Sequence, residues 1–178
     1  ETFSRPSFLD NHDMNRFLWV AHNDTAKLKL AAMCQFTLVG APVIYYGTEV
    51  GLSQPADVMQ HGRAIHEETR MPMLWGDDQD RDLFEFYRRL IQMRKSESAL
   101  VHGRRETVLA TEEVLAYRRA DEQQSVLCMM NISEKAMEFE LDVAESSPLL
   151  ITRPECRIQA EGSRKRIFLP PFSGMIVK

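Results

Sequence analysis

Ser7-Phe8-Leu9-Asp10-Asn11-His12-Asp13 and, further along, Gly40-Ala41-Pro42-Val43-Ile44-Tyr45-Tyr46-Gly47-Thr48-Glu49 are the two stretches on which the fold turns. Ser7 to Leu9 reads as a short buried strand ending in a polar burst, Asp10 to Asp13. Pro42 to Tyr46 reads as a second buried strand, closed by Gly47. Between them the pattern is helical from Thr25 to about Leu38. Asp24 stands at the cap position, Leu28, Ala31, Ala32 and Cys34 fall at helical spacing, and Gly40 and Pro42 end the helix. Strand, helix, strand is the unit from which parallel sheets are built.

Outward from this unit, periodicity fails from Leu52 to Gly76, where Gly, Pro and polar residues dominate. So long a connection is expected to overhang something. Asp80 or Asp82 then caps a helix reaching about Lys95, with Leu83, Phe86, Leu90 and Met93 on one face. Arg88, Arg89, Arg94 and Lys95 lie toward its C-terminal end, as the helix dipole favours, and read as a solvated face. After Ser98 the period drops to two. Short β-rich runs follow at Thr107–Leu109, Val114–Arg118, Ser125–Asn131, Met137–Leu141, Leu149–Thr152, Arg166–Leu169 and Met175–Val177. Turn-like clusters such as Asp121-Glu122-Gln123 and Glu161-Gly162-Ser163 separate several of them, which predicts an antiparallel sandwich. The expected division is residues 1–100, α/β, and residues 101–178, all-β.

The 178 residues are 44% hydrophobic and 27% charged, with a net charge of −4 and scattered basic residues. That is globular composition, and it offers no basic face to nucleic acid. No apolar run approaches the roughly 20 residues that span a bilayer. Cys34, Cys128 and Cys156 are odd in number and form no Cys-x-x-Cys pair. They are read as free thiols, which suits a reducing, cytoplasmic compartment. The chain opens at Glu1 and enters a strand-like segment almost at once, as an internal piece of a longer polypeptide would.

The Asp10-Asn11-His12-Asp13 segment carries the chemistry. In α/β barrels catalytic groups converge at the C-terminal ends of the strands. A carboxylate beside an imidazole there can bind vicinal sugar hydroxyls, each of which both donates and accepts a hydrogen bond. Taken by spacing alone, Asp13 is equally a helix cap for Met14 to Val20, with Asp10 and His12 as satisfied loop groups. His61 and His66, followed by Glu67 and Glu68, lack the His-Glu-x-x-His spacing of a zinc site, and no metal ligands are assigned. Tyr45 and Tyr46 either stack on sugar rings or fill the strand core, and Phe17, Trp19 and Trp75 are core or cleft wall.

Phe8-Leu9-Asp10-Asn11-His12-Asp13 resembles the fourth signature region of glycoside hydrolase family 13, the α-amylase family, at the end of barrel strand seven. Gly40 to Glu49 resembles that family's segment at barrel strand eight, in the expected order and separation. Arg70-Met71-Pro72-Met73-Leu74-Trp75 is similar to the Arg-x-Pro-Met-x-Trp stretch that some members carry before barrel helix eight. Leu169-Pro170-Pro171-Phe172-Ser173-Gly174 is similar to the last turn and strand of the family's C-terminal sandwich.

The resemblance implies the closing section of a (β/α)₈ barrel, about strands seven and eight with their helices, followed by an antiparallel β-sandwich. It implies hydrolysis of α-glucosidic bonds in starch- or maltodextrin-type glucans, with retention at the anomeric carbon. Such a mechanism needs a nucleophile and a general acid flanking the scissile bond. In relatives both lie on earlier barrel strands, so this stretch alone is expected to be inactive. What maps here is the family's third carboxylate, Asp13, which grips sugar hydroxyls at the cleavage point. His12 maps to the neighbouring sugar-binding imidazole, Asn11 falls beside it, and Arg16 either orients Asp13, lines the cleft or is a plain surface residue. Met14 departs from the Thr common at that position, and Glu49 matches an acidic position read as structural.

No cofactor is expected of this stretch; the calcium that some relatives bind lies elsewhere in the barrel. The expected partners are an α-glucan and the N-terminal barrel segment, with self-association as another way to cover the barrel strands. Two readings compete: a non-catalytic relative that kept the barrel, and a carbohydrate-binding or structural module. Residues 103 to 178 hold no Trp and one Tyr, Tyr117, which supplies a poor aromatic platform for the second.

Overall fold

A computed structural model describes residues 5–178. The helix over Thr25–Thr37 (α2) follows the short helix Phe17–Val20 (α1), and Asp24 caps α2 by accepting from Ala26 N and Lys27 N. The two expected barrel strands meet in a single parallel bridge, Ser7 to Pro42, with Ser7 N donating to Ala41 O and Val43 N to Ser7 O. The bonds run through Ala41 and Val43, the neighbours of Pro42, and no further rung follows among the described residues. The side chain of Gln35 on α2, itself buried, reaches the pair instead: its Nε2 donates to Ser7 O and to Val43 O, both at 2.9 Å.

The stretch after Val50 is irregular, as its composition predicts. It carries a two-residue hairpin, Met59–Gln60 (β1) with Arg63–Ala64 (β2), and 3-10 turns at His66–Thr69 and Gly76–Asp78. Asp80 caps the helix Arg81–Ser96 (α3) by accepting from Leu83 N. Ser98–His102 (α4) follows at once.

The rest is a sandwich. Arg104–Ala110 (β3), Val114–Ala120 (β4), Ser125–Asn131 (β5), Met137–Leu141 (β6), Pro148–Ile151 (β7), Arg157–Glu161 (β8), Arg164–Leu169 (β9) and Ser173–Val177 (β10) form two antiparallel sheets. The first runs β3-β4-β5-β10-β7 and the second β6-β9-β8. Strand β8 is an addition to the seven expected runs. Its residues are mostly exposed and polar, so it has no apolar alternation to announce it.

The five-stranded sheet is covered on both faces, which is why β5 and β10 are almost continuously buried. One face, with Tyr117, Val126, Cys128, Met130, Leu150 and Ile176, shares a core with Leu28, Met33 and Phe36 of α2 and Leu83, Phe86 and Leu90 of α3. The other, with Ala116, Leu127, Met129, Met175 and Val177, packs on Leu141, Ile167 and Leu169 of the smaller sheet. Strand alternation sends successive residues to the two cores. Burial raises all three thiols, Cys128 to about 12, so at neutral pH they are inert packing groups.

A carboxylate is also enclosed here. Glu145 accepts from Arg118 Nε at 2.8 Å and from Ser125 Oγ. Burial works to raise its carboxyl, but the hydrogen bonds from Arg118 and Ser125 outweigh that and hold it down to about 2. A carboxyl in the unfolded chain titrates near 4.3, so this group contributes stability above that pH. The contribution is lost as the pH falls from about 4.5 toward about 2. Glu145→Gln is expected to lower the unfolding free energy of this chain by about 1–2 kcal/mol near neutral pH and to flatten its decline below about pH 4. Urea unfolding at a series of pH values checks this; equal slopes for the two proteins would refute it.

Candidate active site

Asp10, the first acid of the polar burst, is 2% exposed. Its Oδ2 accepts from Phe17 N at 2.9 Å and its Oδ1 from Thr48 Oγ1 at 2.7 Å. It thus starts α1 and ties the end of the first barrel strand to the turn after the second. The helix expected from Met14 is shorter, beginning at Phe17, and Asp10 rather than Asp13 supplies its first N–H with an acceptor. Asn11 makes a local turn, its Oδ1 accepting from Asp13 N at 2.8 Å.

Asp13 is left free to face outward. Its side chain is 59% exposed, and three basic groups surround it. His12 Nε2 lies 3.1 Å from Oδ2, Arg70 Nη2 lies 3.4 Å from Oδ1, and His66 Nδ1 lies 3.8 Å from Oδ1. A carboxylate so placed keeps lone pairs for a neutral polyhydroxyl ligand while its donors hold it in orientation.

Two of the three come from the long connection. The 3-10 turn His66–Thr69 is stitched onto the His12 backbone: Thr69 Oγ1 lies 3.1 Å from His12 O and Arg70 Nε donates to the same carbonyl at 3.3 Å. The expectation that this segment overhangs something is met by these bonds. Arg70 stood in the sequence inside a family stretch, with no site role attached; nothing in the residues themselves could have placed His66 beside Asp13.

Arg16 is neither on the surface nor on Asp13. It is completely buried, its Nε donating to Thr69 O at 2.9 Å and its Nη1 to Tyr46 O at 2.7 Å, with the guanidinium 4.1 Å over the Tyr45 ring. These bonds join the second barrel strand to the turn that carries Arg70. The contact is one of positioning, and a direct sugar contact at Arg16 would first require this seat to open. Tyr46 hydroxyl donates to Met71 O at 2.8 Å, and its ring meets Tyr45 edge-on. Phe17 packs against the core, whereas Trp75 is 73% exposed on the overhanging segment.

Below the site, Tyr87 is buried, and burial together with the charges of Asp10 and Glu49 raises its phenol, which stays neutral. Among the described residues no group of three His, Cys, Asp or Glu side chains could hold a metal ion. Nor is any described helix long and apolar enough to cross a membrane. Tyr117, the one Tyr of the sandwich, is fully buried, so it offers no platform to a sugar.

Comparison with known proteins agrees with this arrangement. The family model for the α-amylase catalytic domain matches residues 2–82, and that for the maltogenic amylase C-terminal domain matches residues 106–176. α-Amylase 2 of Dictyoglomus thermophilum is 41% identical over 141 residues, 79% of this chain and 25% of that protein. A cyclomaltodextrinase of Thermoanaerobacter pseudethanolicus is 31% identical over 173 residues, 97% of this chain and 28% of that protein. The crystal structure of an α-amylase from H.orenii superposes with a TM-score of 0.78 at 22% identity, covering 97% of this chain and 39% of that one. The chain thus spans about a quarter of the length of these two curated relatives.

Proposed function

The chain belongs to the α-amylase family, glycoside hydrolase family 13, as its C-terminal portion, and on that premise we propose that it completes the active site of a retaining α-glucan hydrolase. The substrate class is starch- or maltodextrin-type glucan. Asp13 supplies the transition-state-binding carboxylate and His12 a sugar-hydroxyl contact, with Asn11 shaping the turn between them and Arg16 positioning the overhanging segment. The observation that carries this reading is the outward-facing Asp13 carboxylate, held between His12 and Arg70 at the end of a barrel strand.

Nucleophile and general acid belong to the remainder of the barrel, so the 178 residues alone are proposed to be inactive. The partner they need is that N-terminal barrel segment, and self-association is the proposed alternative cover for the strand edges. We place the division between barrel section and sandwich near residue 100. No cofactor is assigned to the chain, and its three free thiols suit a reducing, cytoplasmic setting.

The test is release of reducing sugar from maltodextrin by the full-length polypeptide and, separately, by this chain. Activity in the former only supports the reading. An inactive full-length protein that still binds maltodextrin would replace it with a non-catalytic relative.

A further inference from the structure

The overhanging segment carries a second concave surface, a groove of about 550 Å³ lined by residues 52–55 and 71–75 and by Asp78. That volume lies within the usual range for a small-ligand site. Leu52, Met71 and Leu74 give it apolar walls, and Trp75 adds an indole that is 73% exposed. Among the described residues nothing donates to, stacks on or sits as a cation over that indole.

The ring is presented by backbone fixed at several points. Tyr46 hydroxyl donates to Met71 O at 2.8 Å, Gln79 Nε2 to Leu74 O at 2.8 Å, and Asp80 N to Val50 O at 3.0 Å. Trp75 O itself accepts from Asp78 N at 3.4 Å, across the 3-10 turn Gly76–Asp78. A platform held in this way needs little further ordering when a ligand arrives.

The chemistry of the lining selects the occupant. A glucosyl ring has apolar C–H faces and an edge of hydroxyls. The indole suits the face, and Asp78, exposed and in no side-chain hydrogen bond or ion pair among the described residues, keeps its lone pairs for the edge. A protein segment laid over the groove would instead bury that carboxylate unpaired, at a cost that a sugar with water at its rim avoids. The groove is also near the Asp13 site along the chain. Arg70 Nη2 lies 3.4 Å from Asp13 Oδ1, and Trp75 is five residues further on, so the two Cα atoms are at most about 18 Å apart.

Resting on the substrate class proposed above, we propose that this groove is an accessory glucan-binding site outlying from Asp13, in which Trp75 stacks on a glucosyl unit and Asp78 accepts from its hydroxyls. Only a long chain fills both places, so the groove favours long glucans over short ones.

The test is steady-state kinetics of the full-length enzyme and its Trp75→Ala and Trp75→Phe variants on long maltodextrin and on maltotriose. The ratio of kcat/KM on the long substrate to that on the short one is expected to fall about fivefold or more for Ala, through KM, and to stay within about twofold of the parent's for Phe, which keeps a ring. The melting temperatures should hardly move, because the side chain is exposed. A ratio unchanged in the Ala variant would overturn the proposal, and so would a Phe variant as damaged as Ala; a lowered melting temperature with an unchanged ratio would show the ring seated against the rest of the polypeptide. A full-length protein that cleaves neither substrate removes the function proposed above, and calorimetric titration with maltoheptaose then decides the groove separately. Binding weakened about fivefold or more by Trp75→Ala would sustain it, and equal binding or none would remove it.

Discussion

Asp13→Asn in the intact enzyme is expected to lower kcat on maltodextrin by at least about 100-fold, or roughly 2.7 kcal/mol of transition-state stabilisation. The amide is the same size, but it puts a donor where an acceptor stood. Oδ2 now faces His12 Nε2 and Oδ1 faces Arg70 Nη2, so an amide nitrogen turned toward Arg70 sets donor against donor, and one turned toward His12 requires Nε2 to accept rather than donate. The acceptor lost is one that a flattening sugar ring would use more strongly than the ground state does. The loss therefore falls chiefly on kcat, with a smaller change in KM. Because the side chain is largely exposed, the melting temperature should hardly move. A near-normal kcat would take Asp13 out of the mechanism.

Arg119→Ala is expected to cost about 3–4 kcal/mol of stability, the largest effect foreseen for a residue remote from Asp13. Arg119 is fully buried between the helices and the sandwich. Its Nη1 donates to Thr37 O at 2.6 Å, and its Nε and Nη2 donate to Gly103 O at 3.3 and 3.0 Å. Burial lowers its guanidinium below the ordinary value, yet the group stays charged. Truncation takes a donor from each carbonyl, at the end of α2 and at the start of the sandwich, and leaves a cavity. Gly103 is already packed so closely that a Cβ there would clash with Ala99 O and Ala120 O. Arg119→Lys should recover only part of the loss, since a single ammonium does not fork to two carbonyls. Urea unfolding of this chain measures both, and a loss below about 1 kcal/mol for the Ala variant would show that the carbonyls find other donors.

The elements that the sequence announces are those whose signals are local. Asp24 and Asp80 cap the helices they precede, Leu83, Phe86, Leu90 and Met93 turn inward together, and most sandwich strands show themselves as apolar runs. Four polar residues after an apolar strand are conspicuous, but spacing alone makes them no more than a helix cap and loop groups, and it is the segment's resemblance to a family signature that singles out Asp13, His12 and Asn11. What stayed hidden depends on distant partners. Arg16 is read as a surface or cleft residue until the carbonyls of Tyr46 and Thr69 are brought to it, and burial of an arginine has no periodic signature. Arg70 and His66 reach Asp13 through a turn whose shape is set by bonds to His12 rather than by pattern. The two barrel strands shrink to one bridge, and a Gln35 side chain takes Val43 O, the carbonyl that the next rung of a ladder would use.

The five-stranded sheet, clothed by helices on one side and by strands on the other, has a bearing on how such enzymes can be cut and recombined. A break drawn at residue 103, between barrel section and sandwich, would strip Tyr117, Val126, Cys128 and Met130 of their helical neighbours and bare Met33 and Phe36 in turn. Neither product would be a free-standing module. Grafting this sandwich onto another barrel therefore means carrying α2 and α3 with it, or redesigning both sides of the seam at once, and a lineage that exchanged its C-terminal part alone would meet the same obstacle.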